Sequence, residues 1–147
     1  MVKDTVDCDI RVRYAETDQM GVAYYANYLV WFEVGRSEFC RKKDFSYADL
    51  EKLGYKLVVT ESHCHYRNAA RYDETITVRT KLKHLNKRII TFGYEVLRKG
   101  DEEFLAEGET RHLCLDRTGK LKSLPQEFLA RLSGKEVLST KNVSLKT

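Results

Sequence analysis

Asp18, Gly21 and the run Tyr24-Tyr25-Ala26-Asn27-Tyr28 place a carboxylate, a glycine and the opening of an apolar helix in immediate succession. A strand pattern ends just before this stretch, so the carboxylate belongs to a junction where unpaired backbone amides and a reactive side chain share a small space. Gly21 lets the chain turn sharply and approach a ligand closely. The first amides of a helix lack partners within it and stand at the positive end of its dipole. A carboxylate in such a place can act as nucleophile or as general base. It can equally be a turn aspartate that bonds nearby amides, and the residues by themselves leave both readings open. Asn27 has a simpler reading as helix cap.

The elements that must position these residues are legible from periodicity. Val6, Cys8, Ile10, Val12 and Tyr14 alternate with Asp7, Asp9, Arg11 and Arg13, the pattern of a half-buried strand over 6–14. From Asn27 to Lys43 the spacing becomes helical, and Tyr28, Leu29, Val30, Trp31, Phe32, Val34 and Phe39 put bulky groups almost all round the first turns. Such a helix is expected to be buried on every side. Ser46-Tyr-Ala-Asp49 reads as a capping box for a short helix that Gly54 closes. Strand patterns then follow over 56–67, 74–84, 88–98 and 103–116, with Lys99-Gly100-Asp101 as a hairpin turn and Leu121 to Leu124 as a short further strand. Pro125 stands at the first turn of a last helix. The arrangement that satisfies this order is α+β: one long antiparallel sheet of five or six strands wrapped around a single central apolar helix.

Composition narrows the classes. A chain of 147 residues with ordinary apolar content and a formal net charge of +4 is one folded domain, taken as 1–133, followed by a polar tail over 134–147. No apolar run reaches membrane-spanning length and no secretory leader is visible, so the expected location is cytoplasmic. Cys8, Cys40, Cys64 and Cys114 fall at irregular spacing without a Cys-x-x-Cys, which points to reduced thiols rather than a disulfide or zinc framework. His63 and His65 share one side of a strand, yet no complementary ligand pair accompanies them, and no metal is expected. The lysines do not cluster with exposed aromatics, which argues against nucleic acid as a partner. Glu33 and Arg36 lie three apart on a helix face, as an intrahelical ion pair would, or as supports for a site or an interface.

Tyr14-x-Glu16-Thr17-Asp18-x-x-Gly21-Val22-x-Tyr24-x-x-Asn27-Tyr28 resembles the signature of the 4-hydroxybenzoyl-CoA thioesterase/YbgC-like family of hotdog-fold acyl-CoA thioesterases. Glu33-x-x-Arg36, Ala70-Arg71-Tyr72-Asp73, Ile90-x-Phe92-x-Tyr94-Glu95-Val96, Ala106-Glu107-Gly108-x-Thr110 and Cys114-x-Asp116 follow in the family's order. The resemblance implies a hotdog fold, a coenzyme A thioester as substrate with no cofactor, and a homodimer or homotetramer with sites at the subunit interface. It implies Asp18 as catalytic carboxylate and the Tyr25 backbone amide as the group that polarises the thioester carbonyl. Many members carry histidine where this chain has Tyr25, whereas the 4-hydroxybenzoyl branch does not. Gly21, Val22, Tyr24, Asn27 and Tyr28 would then line the substrate site. Arg71, Lys87 and Arg88 become candidates for the coenzyme A phosphates, as do Lys120 and Lys122, against solvated surface charge as the plain reading. No Gly-x-Ser-x-Gly elbow offers a serine triad instead. A dehydratase would want a histidine beside Asp18, which is absent. A non-catalytic module that binds acyl-CoA or acyl carrier protein is the alternative from another class, and acyl carrier protein remains a candidate partner.

Overall fold

The computed structural model describes residues 4–134. The polar stretch expected over 134–147 therefore lies, apart from Gly134, outside the described residues. Five strands, β1 (Thr5–Arg11), β2 (Lys56–Tyr66), β3 (Thr75–Leu85), β4 (Ile89–Arg98) and β5 (Phe104–Leu115), form one sheet in the order β1-β3-β4-β5-β2. Every neighbouring pair is antiparallel. Strand β2 follows the helical segment in sequence and takes the far edge, so β1 and β2 are the two edges.

Helix α1 (Asn27–Lys42) lies against one face of this sheet. Its inward residues Tyr28, Trp31, Phe32 and Phe39 are buried together with Ile76, Val78, Ile90, Phe92, Tyr94 and Val96 from the strands. Phe32 stacks on Tyr94 with ring centroids 4.2 Å apart, and Phe39 meets Phe92 edge-on at 5.7 Å. Gly35 sets how closely helix and sheet approach: a Cβ there would sit 2.6 Å from the Thr80 hydroxyl and 2.7 Å from a Val78 methyl. Helix α2 (Tyr47–Lys52) starts where expected, with Ser46 Oγ accepting the Asp49 amide at 3.2 Å. Helix α3 (Gln126–Ser133) begins one residue after Pro125 and buries Phe128 and Leu132.

Four expectations are corrected. Helix α1 is not enclosed on every side: Leu29, Val30 and Val34 are 38%, 49% and 38% exposed, because the sheet of one chain covers only part of the helix circumference. The first strand stops at Arg11, and residues Tyr14–Glu16 form a 3-10 turn that throws the Tyr14 ring into solvent. The strand expected over 121–124 reduces to a single bridge between Leu115 and Leu121. Asn27 is not the cap of α1, since Ala26 occupies that position without a side-chain capping bond.

Candidate active site

Strand β1 delivers the chain into the 3-10 turn, and Glu16, the last residue of that turn, anchors the loop that leads to α1. Its carboxylate is buried at 6% exposure and accepts the Arg13 amide at 2.8 Å, Arg13 Nη2 at 3.2 Å and the Trp31 indole N–H at 3.3 Å. Burial alone would raise its pKa, but the bonds from the Arg13 backbone, the Arg13 guanidinium and Trp31 outweigh it and hold the carboxyl below its ordinary value. The Glu16 carbonyl accepts the Tyr24 amide and the Asn27 side-chain amide, each at 2.8 Å. One residue thus ties the turn, the next loop and the first residue of α1 together, and this is the role Asn27 has in place of capping.

Between Thr17 and Ala23, which form an isolated bridge, the chain makes a tight reversal. The Asp18 amide donates to Val22 O and the Gly21 amide to Asp18 O, both at 2.9 Å. Gly21 takes φ +83, a left-handed conformation that costs a residue with a Cβ about 1–2 kcal/mol. Asp18 is half-buried, and its Oδ1 accepts the Met20 amide at 2.9 Å. The turn-aspartate arrangement is therefore present, yet it occupies only one carboxylate oxygen. Asp18 Oδ2 takes no hydrogen bond among the described residues.

The chain then reaches the helix start. Among the described residues neither the Tyr25 nor the Ala26 amide finds an acceptor, and both precede the first hydrogen-bonded turn of α1. Tyr66, at the end of β2, donates its hydroxyl to the Tyr25 carbonyl at 3.0 Å. Because that carbonyl shares a peptide plane with the Ala26 N–H, Tyr66 also fixes the direction of this free donor. Tyr66 packs edge-on against Tyr25 and Tyr28, and burial followed by its neighbour Cys64 pushes its phenol pKa up, so it stays a neutral donor. The Tyr24 and Tyr25 rings are exposed and 4.7 Å apart. The Tyr25 hydroxyl first, and the Asp18 carboxylate last, raise the Tyr24 pKa, which places Asp18 within electrostatic reach of these rings. Tyr28 is buried, and its hydroxyl accepts the Ala70 amide at 3.4 Å while Ala70 O accepts the Ala23 amide at 2.8 Å. Arg71 beside it reaches Gly21 O from Nη1 at 3.5 Å.

The structure thus gathers Asp18, Gly21, Val22, Tyr24, Tyr25, Asn27, Tyr28 and Arg71 at one end of the sheet, where Arg11 pairs with Thr75 and Tyr66 with Ala106. Lys87 and Arg88 do not join them within one chain. They form the β3–β4 turn with Asn86, whose side chain accepts the Arg88 and Ile89 amides at 3.0 and 2.9 Å. The length of β4, ten residues or about 33 Å, separates them from that end. Lys122 is at this second end too, its amide bonded to Cys114 O and its ammonium over the Tyr55 ring. Glu33 and Arg36 form no ion pair, for Arg36 turns inward toward Tyr94. His63 and His65 project from the outer face of the sheet, where His63 meets Glu109 at 3.4 Å. They line a charged trough of about 670 Å³ on that face, opposite to α1 and without Asp18.

Two contributors were given no role by the sequence pattern, although Glu16 stands within the quoted signature. Glu16 continues the inward register of Val6, Cys8, Ile10 and Val12, and a carboxylate in that register was the available signal. Tyr66 carries no such mark, because its partner is a backbone carbonyl 41 positions away.

A thioesterase-like superfamily model matches residues 12–132. YneP of Bacillus subtilis is 38% identical over 109 residues, covering 74% of this chain and 78% of that protein. Haemophilus influenzae YbgC, an acyl-CoA thioesterase, is 32% identical over 124 residues, covering 82% of this chain and 89% of its own length. The solved structure of the DHNA-CoA thioesterase of Staphylococcus aureus superposes with a TM-score of 0.84 at 32% identity, covering 95% of each chain. A match across nearly the whole described domain, on a sheet wrapped around one helix, places this chain in the thioesterase-like superfamily, among the YbgC-like acyl-CoA thioesterases with the hotdog fold.

Proposed function

We propose that this enzyme hydrolyses a coenzyme A thioester to the free acid and CoA, with Asp18 acting at the thioester carbon and the amides of Tyr25 and Ala26 holding the carbonyl oxygen. The observation that carries the reading is the pair of unbonded amides at the start of α1, reached from the Asp18 loop across Gly21. Negative charge grows on the carbonyl oxygen as the thioester is attacked, and preorganised N–H donors at a helix start stabilise it without reorganising. Oδ2 of Asp18, free of hydrogen bonds among the described residues, either attacks the carbon and expels the thiolate, or takes a proton from the water that does. The names of the Haemophilus and Staphylococcus relatives support a CoA thioester as substrate.

The same reading makes the working unit a homodimer. Among the described residues strand β2 pairs with β5 on one side only, and the exposed Leu29, Val30, Val34 and Val59 supply apolar surface for a second copy. Antiparallel pairing of β2 with its counterpart would bring the Lys56 end of one copy beside the Tyr66 end of the other. Lys87 and Arg88 of the second copy would then stand at the Asp18 end of the first, ready for the coenzyme A phosphates.

The test is Asp18→Asn, which keeps an oxygen for the Met20 amide and removes the charge. Thiol release from a panel of acyl-CoAs should fall at least about a thousandfold, with thermal stability within about 1 kcal/mol of wild type. Retained turnover refutes the role of Asp18. Tight acyl-CoA binding by the wild-type protein with no thiol release would make it a binding module instead.

A further inference from the structure

Among the described residues, Arg36 carries a charge that no carboxylate neutralises. It sits on the inward flank of α1. Its Nη1 reaches the Tyr94 hydroxyl at 3.5 Å, the outer limit of a hydrogen bond, and its Nε is sealed from solvent without an acceptor. The groups around it are also left short. The Tyr47 hydroxyl, the Thr80 hydroxyl and His112 Nδ1 are buried without partners, while Tyr94, Thr110 and His112 Nε2 bond one another at 2.6 and 2.8 Å. None of these neighbours supplies negative charge: burial, then Arg36 itself, holds His112 down to about 3, and burial pushes the Cys40 thiol up to about 12. Arg36 is half-buried, and the hydroxyls of Tyr94 and Tyr47 keep its guanidinium charged against the cost of burial, so a cation with only neutral neighbours stands ready for an anion.

The position of Arg36 along α1 connects it to the proposed site. Leu29 and Arg36 are seven apart, so they share one flank of α1, and the helix begins directly after the Tyr25 and Ala26 amides. An acyl group held by its carbonyl at the Tyr25 and Ala26 amides would run down this flank. Arg36 lies nine positions after Asn27, about 14 Å along the axis, and the arginine side chain leans back toward the helix start to shorten that span. We propose that Arg36, with the Tyr47 hydroxyl, binds a carboxylate at the far end of the acyl group, so that the preferred substrate is the CoA thioester of a dicarboxylic acid. This rests on the thioesterase reading above.

The full-length protein is assayed for thiol release on suberoyl-CoA and octanoyl-CoA, which match in chain length. Binding of free suberate and free octanoate is measured in parallel by calorimetry. The wild type should favour suberoyl-CoA in kcat/KM by about tenfold or more, and bind suberate over octanoate. Arg36→Met should bring both ratios to about one, and Tyr47→Phe should lower them. Equal rates on the two thioesters, or a preference that survives Arg36→Met, overturn the proposal. A preference for 4-hydroxybenzoyl-CoA over benzoyl-CoA, with none for suberoyl-CoA, also overturns it by assigning the subsite to a phenol. Should Arg36→Met not fold, Arg36→Lys and Tyr47→Phe decide the same ratios. Suberate bound through Arg36 with no thioester cleaved would keep the subsite and refute the hydrolase; cleavage without suberate preference would do the reverse.

Discussion

Replacing Glu16 by glutamine keeps the shape of the side chain and removes its charge, and the geometry gives the size of the effect. The amide oxygen of glutamine can still take the Arg13 N–H, which the carboxylate holds at 2.8 Å. Its NH2 group must then face Arg13 Nη2 and the Trp31 indole N–H, both donors. The Arg13 side chain is 74% exposed, so losing that ion pair costs little. Trp31 is 1% exposed, and stranding its N–H costs about 1–3 kcal/mol. A loss of roughly 2 kcal/mol in a domain of this size lowers Tm by roughly 5–10 °C. The pH dependence has a definite sign. The folded pKa of Glu16 lies below its unfolded value of about 4.3, so its contribution is complete above that pH and is lost as pH falls through the folded pKa. Thermal unfolding followed by circular dichroism should separate wild type from Glu16→Gln at pH 7, and the gap should shrink toward pH 3. Equal Tm values at pH 7, or a gap that does not narrow in acid, would refute the account of Glu16 as a charged anchor.

Tyr66→Phe removes only the hydroxyl that orients the Tyr25–Ala26 peptide plane. It should lower kcat by about three- to tenfold, the equivalent of a hydrogen bond of about 0.5–1.5 kcal/mol, while KM stays near wild type; an unchanged kcat would detach Tyr66 from the site. The double charge reversal Lys87→Glu/Arg88→Glu should raise KM for acyl-CoA about tenfold or more with little change in kcat, despite the strand length between these residues and Asp18 in one chain. No change in KM, or a monomeric wild type by light scattering, would remove the two residues from the substrate site.

Much of the fold was legible because its signals are local. The alternation Val6-Cys8-Ile10-Val12, the capping Ser46 and the apolar run of α1 each declare their element within a few residues, since burial of one strand face or helix side imposes its period on the sequence. The Asp18–Gly21 junction was legible for the same reason. The features that stayed hidden depend on partners distant in the chain.

The sequence by itself determined the main helix, the four long strands after it, their order and the meeting of a carboxylate with a helix start. Only the tertiary structure decided that Glu16 turns inward onto Trp31, that Asn27 bonds Glu16 O rather than capping α1, and that Tyr66 holds the Tyr25 carbonyl. It also sent Lys87 and Arg88 to the far end of the sheet and left Leu29, Val30 and Val34 uncovered. The physical reason is common to all of them. Hydrophobic period constrains which way a side chain faces within its own element, whereas the partner it meets depends on strand order and on how much of the helix one sheet can wrap.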